Sequence, residues 1–465
     1  MKHRYQFIPL QLFLKFVDVI LGVVIGLPLI AYIFVKSMFK KKSHFLQKKM
    51  LVLDMAYTFE MVKKRQLHQA IIARDLDGYF KHVWSVHLCA TVISQENTEE
   101  TFGKMTITSF SPKHTIIEGK IGRFRALKKL PLTNFLLAQW NICLYLYRLI
   151  KNQSISVIRA GEPYYQGLIG LALARGNGIP CVFRIPINYD LFYQVSGDMA
   201  WPRLFRKRWI EKLIDHYTLK RADLVAGANQ DCFNFALNNG ARKEYATVFR
   251  YGNLIHRAHF KPPDKRPKAE DALRELGLFN KKFSITISRL EKLKQIDDVL
   301  RVLAEIRKCG MNLSALIVGD GRMKPDLAKM AELLGIADNV IFAGNRNQEW
   351  IASVLPYASV VISPFMGRAL TEATLSGVPV AAYDIEWQSE VIKTGVTGEL
   401  VKYRDWKAMA DSAIKLLKDS KYAKRMGFNA RKTVLDMMDP VKLNQHEKNE
   451  YEKLFKRYKV DIRGG

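Results

Sequence analysis

Ser363-Pro-Phe-Met-Gly-Arg-Ala-Leu-Thr-Glu-Ala-Thr-Leu-Ser-Gly-Val-Pro-Val380 is the stretch on which the reading of this chain turns. Ahead of it, Ala358-Ser-Val-Val-Ile362 is a compact apolar run expected to be a buried parallel strand. Gly367 opens a helical pattern that ends at Gly377, and Val378-Pro-Val-Ala-Ala-Tyr383 begins the next strand. The unit reads strand, glycine turn, helix, strand. Free amides at such a helix start favour phosphate. A carboxylate further along, Glu372, cannot favour phosphate but can accept hydrogen bonds from sugar hydroxyls. Diphosphate on the amides and ribose on Glu372 would together make a nucleotide-sugar site.

The neighbouring segments fit that reading. Ser284-Ile-Thr-Ile-Ser288 is strand-like and leads to Arg289 and Lys294, two cations placed to hold a diphosphate and to neutralise the charge that grows as it leaves. Ser314-Ala-Leu-Ile-Val318 meets the tight turn Gly319-Asp-Gly321, and Met323–Leu334 follows as a helix. Val340-Ile-Phe-Ala343 is a further short strand, closed by Gly344.

As an ordered set, Arg289…Lys294, Val318-Gly-Asp-Gly-Arg322, Val340-Ile-Phe-Ala-Gly344, Ala358…Ser363, Glu372-Ala…Gly377-Val-Pro-Val380 and Gly395-Val-Thr-Gly398 resembles the C-terminal half of the family 4 retaining glycosyltransferases (glycosyl transferases group 1). The likeness covers roughly residues 280–420, and Tyr251-Gly-Asn253 resembles the loop that enters the interdomain linker. It implies an α/β chain of the GT-B type, two Rossmann-like domains facing across a cleft, with a nucleoside diphosphate sugar as donor substrate and no metal or other cofactor. It further implies that Arg289 and Lys294 bind the donor diphosphate and that Glu372 holds the ribose. The backbone near Gly344-Asn345-Arg346 would face the base. Gly319, Gly321, Gly367, Arg368, Ala369 and Leu370 would line the phosphate and sugar. Two departures stand out: Pro364 occupies the place of the family's first glutamate, and the usual Lys-Gly pair reads Lys294-Gln295.

The chain has 465 residues, of which 48% are hydrophobic, so it can build two or three domains with sizeable cores. Lys plus Arg number 73 against 44 Asp plus Glu, a formal charge of +29 that calls for an anionic partner. Neither zinc-finger spacing nor an RNA-binding signature points to nucleic acid, so membrane lipid and phosphorylated substrates are expected to account for the surplus. The five cysteines are scattered, without a Cys-x-x-Cys pair, and are expected to be reduced.

Leu10–Val35 is the most hydrophobic stretch, and Val19–Val35 holds no charge. Summed insertion energies favour the membrane by roughly several kcal/mol. The lysines that follow, Lys36, Lys40, Lys41, Lys42, Lys48 and Lys49, belong on the cytoplasmic side of an inner membrane. The helix is expected either to cross once or to re-enter with a bend at Pro28.

Residues 1–45 are therefore expected to be an anchor, 46–260 an acceptor domain, 261–435 the nucleotide-sugar domain, and 436–465 a helix returning to the first domain. Glu60–Leu76 is expected to be one helix, Lys113–Arg125 a basic loop, and Lys261-Pro-Pro-Asp-Lys-Arg-Pro267 the linker. In the first domain the histidines usual in the family are missing. Tyr57, Glu162, Asn188 and Asp190 are the candidate acceptor or sugar contacts. The function implied is a membrane-associated, hexosyltransferase-type retaining enzyme with a lipid-linked or cell-surface glycan acceptor. The alternative is a non-catalytic GT-B membrane partner of a glycan-assembly complex.

Overall fold

The computed structural model describes residues 7–39, 47–54, 58–64, 67–90, 101–201 and 207–460. The chain divides into two compact units. The first comprises Met1–Tyr189, Met199–Phe249 and Asn444–Gly465; the second comprises Asp190–Asp198 and Arg250–Leu443.

The first unit is built on β1 (Lys49–Leu53), β2 (His82–His87), β3 (Thr106–Ser111), β4 (His114–Glu118), β5 (Val157–Ala160), β6 (Cys181–Ile185), β7 (Leu224–Gly227) and β8 (Ala246–Val248). They form one sheet in the order β3-β4-β2-β1-β5-β6-β7-β8. Every neighbouring pair is parallel except β3 with β4. The expected basic loop at Lys113–Arg125 is thus partly strand: His114–Glu118 pairs on both edges, because alternating Thr115 and Ile117 against Ile116 suits a pleat. The expected helix Glu60–Leu76 is broken into Phe59–Lys64, His68–Ile72 and a turn at Ala73–Asp75.

The helix Pro440–Val460 contributes Tyr451, Leu454 and Phe455 to the core of the first unit, beside Met50, Val157 and Val182. Its Glu447 carboxylate meets the buried Arg159 guanidinium at 3.3 Å and Arg184 at 3.7 Å. Arg159 is therefore spent on holding this helix rather than on a ligand.

The second unit is built on β9 (Phe283–Ile287), β10 (Ser314–Val318), β11 (Val340–Gly344), β12 (Val360–Ser363), β13 (Val380–Asp384) and β14 (Glu399–Lys402). All are parallel, in the order β11-β10-β9-β12-β13-β14. Parallel neighbours require crossovers, supplied by helices such as Ile296–Lys308, Lys324–Leu333 and Arg368–Thr374. Alternate residues of one strand feed two cores. Leu316, Val361 and Val380 face one, with Leu370 and Ala373; Ala315, Ile317, Ile362 and Tyr383 face the other, with Ile296 and Leu300. Two apolar faces explain the near-continuous Val/Ile runs. This strand order is that of a Rossmann fold, and it reverses direction between β9 and β12. Ligands bind such sheets beyond the carboxyl ends at that reversal.

The second unit begins at Arg250, ahead of the proline-rich stretch expected to be linker. Arg266, inside that stretch, is buried. Its five N–H groups donate to the carbonyls of Lys261, His259, Ala352 and Leu375 and to Ser376 Oγ, at 2.6–3.1 Å. Composition marked a linker where a guanidinium fork in fact ties the segment down.

The helix Phe7–Met38 runs through Pro28 and is long and apolar enough to cross a membrane. It packs on the helices Pro131–Asn152 and Tyr165–Asn177 of the first unit.

Candidate functional site

At the reversal point the chain leaves β9 through Ser288 and the exposed Arg289, then turns through Lys292–Lys294. It leaves β12 through Phe365 and Gly367. These two exits bring Lys294 to the glycine turn. The Lys294 ammonium lies 3.8 Å from where a Cβ on Gly367 would stand, and 4.5 Å from the centroid of the Phe365 ring. Gly367 has φ +63°, a conformation that favours glycine. The missing side chain leaves room in front of the ammonium.

Burial pulls the Lys294 pKa down to about 8; nearby Glu386 opposes this and Arg289 adds to it. The two cations thus feel each other's charge, as a diphosphate clamp requires. Gln295, standing where the family has glycine, adopts φ +52°, the left-handed conformation glycine favours. Its side-chain amide donates to the Tyr403 hydroxyl.

Glu372 lies on the helix Arg368–Thr374, which Gly367 caps. It is 5% exposed, and burial lifts its pKa to about 7, with Arg368 pulling the other way. The helix is only seven residues long, so its dipole is a small contribution and its first amides matter more.

The remaining sequence candidates divide. Asn345 and Arg346 are exposed beyond the carboxyl end of β11, Arg346 donating to the Ala343 carbonyl at 3.0 Å. Gly319 and Gly321 brace the loop that carries Arg289: a Cβ would stand 1.8 Å from the Ser288 carbonyl oxygen at Gly319, and 2.3 Å from that of Leu290 at Gly321. Ala369 and Arg368 are partly exposed at the helix start. The Leu370 side chain is wholly buried in the core, and its amide donates to the Gly367 carbonyl at 3.0 Å.

Sequence reasoning missed the acidic side of the site. Glu386, with φ +49°, follows β13 beside Lys294. Gln388 staples this turn to the β12 exit, donating to the Ser363 and Pro364 carbonyls at 3.3 Å and accepting from Ser363 Oγ at 2.5 Å. A Glu two residues before a Gln gives no pattern signal. The Ser288 hydroxyl oxygen at the end of β9 is also buried and, among the described residues, without a partner.

Of the first-unit candidates, Tyr57 lies outside the described residues. Glu162 stands at the start of the helix Tyr165–Asn177, its oxygens accepting from the Tyr164 amide at 2.6 Å and the Gln166 amide at 2.5 Å. Asn188 donates to Asp231 at 3.0 Å. Asp190 belongs to the second unit, beginning a segment whose Leu191 and Val195 pack on its core. Among the described residues, no cluster of three or more His, Cys, Asp or Glu is placed to hold a metal ion.

Glu372→Gln separates ligand role from structural role. The folded pKa, about 7, lies above the ordinary 4.5. This carboxyl's contribution to stability is therefore complete below pH 4.5 and lost as pH rises through 7. Glutamine removes that loss: the variant is expected to be more stable at pH 8 by up to about 3 kcal/mol, the gain fading towards pH 4.5. Thermal melts at several pH values check this.

Residues 270–433 match the family described as glycosyl transferases group 1. The chain is 30% identical over 217 residues to N-acetyl-alpha-D-glucosaminyl L-malate synthase of Bacillus anthracis, covering 46% of this chain and 55% of that protein. It spans only part of the curated relatives it matches, from 36% to 66% of their length. The sucrose-phosphate synthase of Thermosynechococcus elongatus superposes with a TM-score of 0.67 at 16% identity, over 88% of this chain and all of that one. Anabaena HepE, solved with UDP and glucose, superposes with a TM-score of 0.61 at 18% identity, again over 88% of this chain and all of that one. Residues 270–433 are a glycosyl transferases group 1 domain, borne on a chain of GT-B fold.

Proposed function

We propose that the chain is a membrane-attached retaining glycosyltransferase of the hexosyltransferase type. It takes a sugar from a nucleoside diphosphate donor and passes it to a lipid-linked or cell-surface glycan, working on the cytoplasmic face of an inner membrane. The observation that carries this reading is the Lys294 ammonium set against the side-chain-free face of Gly367, with Glu372 buried on the helix that Gly367 begins. Arg289 and Lys294 hold the two phosphates, and the carboxylate of Glu372 accepts from the ribose hydroxyls. Asn345 and Arg346 lie on the base side, and Gly319 and Gly321 keep the Arg289 loop in place.

As the bond from the anomeric carbon to the phosphate oxygen breaks, negative charge grows on the leaving diphosphate. Lys294 and Arg289 stabilise it there. The acceptor hydroxyl enters on the same face of the sugar, and its proton passes to the departing phosphate oxygen. The products are the glycoside and the protonated nucleoside diphosphate. No protein base is needed, which suits a first unit without the family's histidines.

Pro364, in place of the first glutamate, supports one other reading, a non-catalytic member of a glycan-assembly complex. Calorimetric titration of UDP, GDP and ADP into the purified full chain decides between them, UDP first because it is the nucleotide in the HepE structure. The transferase is expected to bind one of the three and to hydrolyse its sugar conjugate slowly. Binding to none, with no hydrolysis, would leave the non-catalytic reading.

A further inference from the structure

The N-terminal helix meets the first unit along one narrow stripe. Asp18 is buried and its carboxylate accepts from the Leu132 and Thr133 amides at 3.0 and 2.9 Å, capping the helix Pro131–Asn152. One turn on, Gly22 lies so close to Leu132 that a Cβ would stand 2.5 Å from its side chain, and Gly26 packs on Leu136 in the same way. Trp140 Nε1 donates to the Ile25 carbonyl at 3.2 Å. Leu29 is buried. Near the end of the helix, Phe34 stacks on Tyr217 at 4.8 Å and the Ser37 hydroxyl bonds the Tyr217 hydroxyl.

These anchors run from residue 18 to residue 37, about 28 Å of helix at 1.5 Å per residue. That is close to the whole hydrocarbon thickness of a bilayer, about 30 Å. A helix crossing the bilayer with these contacts intact would carry the sheet-bearing unit through hydrocarbon. That is excluded by its open loops, whose backbone groups need water, and by exposed Lys128 and Lys129 just before the capped helix.

The other side of the helix is apolar and open: Leu12, Phe13, Phe16, Val19, Ile20, Val23, Val24, Leu27, Ile30 and Val35 are all exposed. The helix Arg208–Arg221 extends this surface. Trp209, Leu213 and Tyr217 recur every four residues, so they share one face; the first two are 63% and 62% exposed, and the third is the residue held by Phe34 and Ser37. Exposed Lys207 and Lys220 flank that stripe.

We infer that the first unit rests on an anionic bilayer through one continuous surface, with the N-terminal helix lying lengthwise in the interface and Trp209 and Leu213 dipping in beside it, so that the helix does not cross. The occupant is lipid because the open face is uncharged over Val19–Val35 while its margins are lysine-rich, the pattern of an interfacial helix. This rests on the membrane attachment proposed above and fixes its geometry.

The test is sidedness. In full-length protein carrying Cys309→Ser, Gln6→Cys ahead of the helix is probed with a membrane-impermeant maleimide in intact bacterial spheroplasts and after detergent. Protection in spheroplasts with labelling after detergent is expected; labelling in intact spheroplasts means a crossing helix and overturns the inference. Trp209→Glu combined with Leu213→Glu is then expected to weaken binding to phosphatidylglycerol–phosphatidylethanolamine vesicles at least tenfold, with the melting midpoint and nucleotide affinity unchanged. Unchanged vesicle binding, or loss of a self-associated dimer in its place, overturns the part given to this stripe. Nucleotide titration in detergent is independent of both readouts, so failure of the transferase reading would be seen separately.

Discussion

Lys294→Ala is expected to lower sugar transfer by about 10²–10³-fold while the protein stays folded. The rate loss follows from removing a half-buried cation from the place where charge develops on the leaving diphosphate. Survival of the fold follows from the sign of the pKa shift. The folded value, about 8, lies below the ordinary 10.5. The stability that goes with this group is therefore present above pH 10.5 and lost as pH falls through 8, so near neutrality the buried ammonium is a cost to the empty protein. Alanine relieves it. A diphosphate would relieve it too, by raising the lysine pKa. Wild-type protein is therefore expected to take up about half a proton per nucleotide bound near pH 8. Calorimetry in buffers of different ionisation enthalpy measures that uptake, and Lys294→Ala should abolish it.

Arg266→Ala should have the largest effect on stability. All five guanidinium N–H groups are used, and four of the five acceptors are backbone carbonyls. Alanine strands those acceptors in the core of the second unit, at a cost of about 3–5 kcal/mol. For a domain of this size each kcal/mol moves the midpoint by about 2–4 °C, so a fall of about 10 °C is expected in a thermal melt. Arg266→Lys should recover little of it, because one ammonium cannot reproduce the planar fork.

How much the sequence could reveal depended on where the information sits. The second sheet was legible because its central strands are compact apolar runs, and two of them, β10 and β11, close on Gly319 and Gly344, both at positive φ. The approach of Lys294 to Gly367 was legible only through the resemblance, since 73 residues separate them. Local pattern could not show that Gln295 adopts a glycine-like backbone, or that Glu386 and Gln388 close the other side of the site. Glu162 is a candidate from sequence because a buried cap and a substrate contact draw on the same residue type at the same kind of turn. The N-terminal helix was read from hydropathy, which registers the open face. The residues that set its orientation, Asp18, Gly22 and Gly26, are few and point the other way.

In the proposed reading each recognition task falls to a different side chain: Arg289 and Lys294 take the diphosphate, and Glu372 takes the ribose. Its most direct test is a calorimetric comparison of the nucleoside diphosphate that the chain binds among UDP, GDP and ADP, its monophosphate and its 2′,3′-dideoxy form, on wild-type protein, Lys294→Ala and Glu372→Gln. Wild type should prefer the diphosphate over both analogues by at least about tenfold, the size of one such contact at 1.4 kcal/mol. Lys294→Ala should lose only the preference over the monophosphate, and Glu372→Gln only the preference over the dideoxy compound. Both preferences intact in both variants would contradict the account.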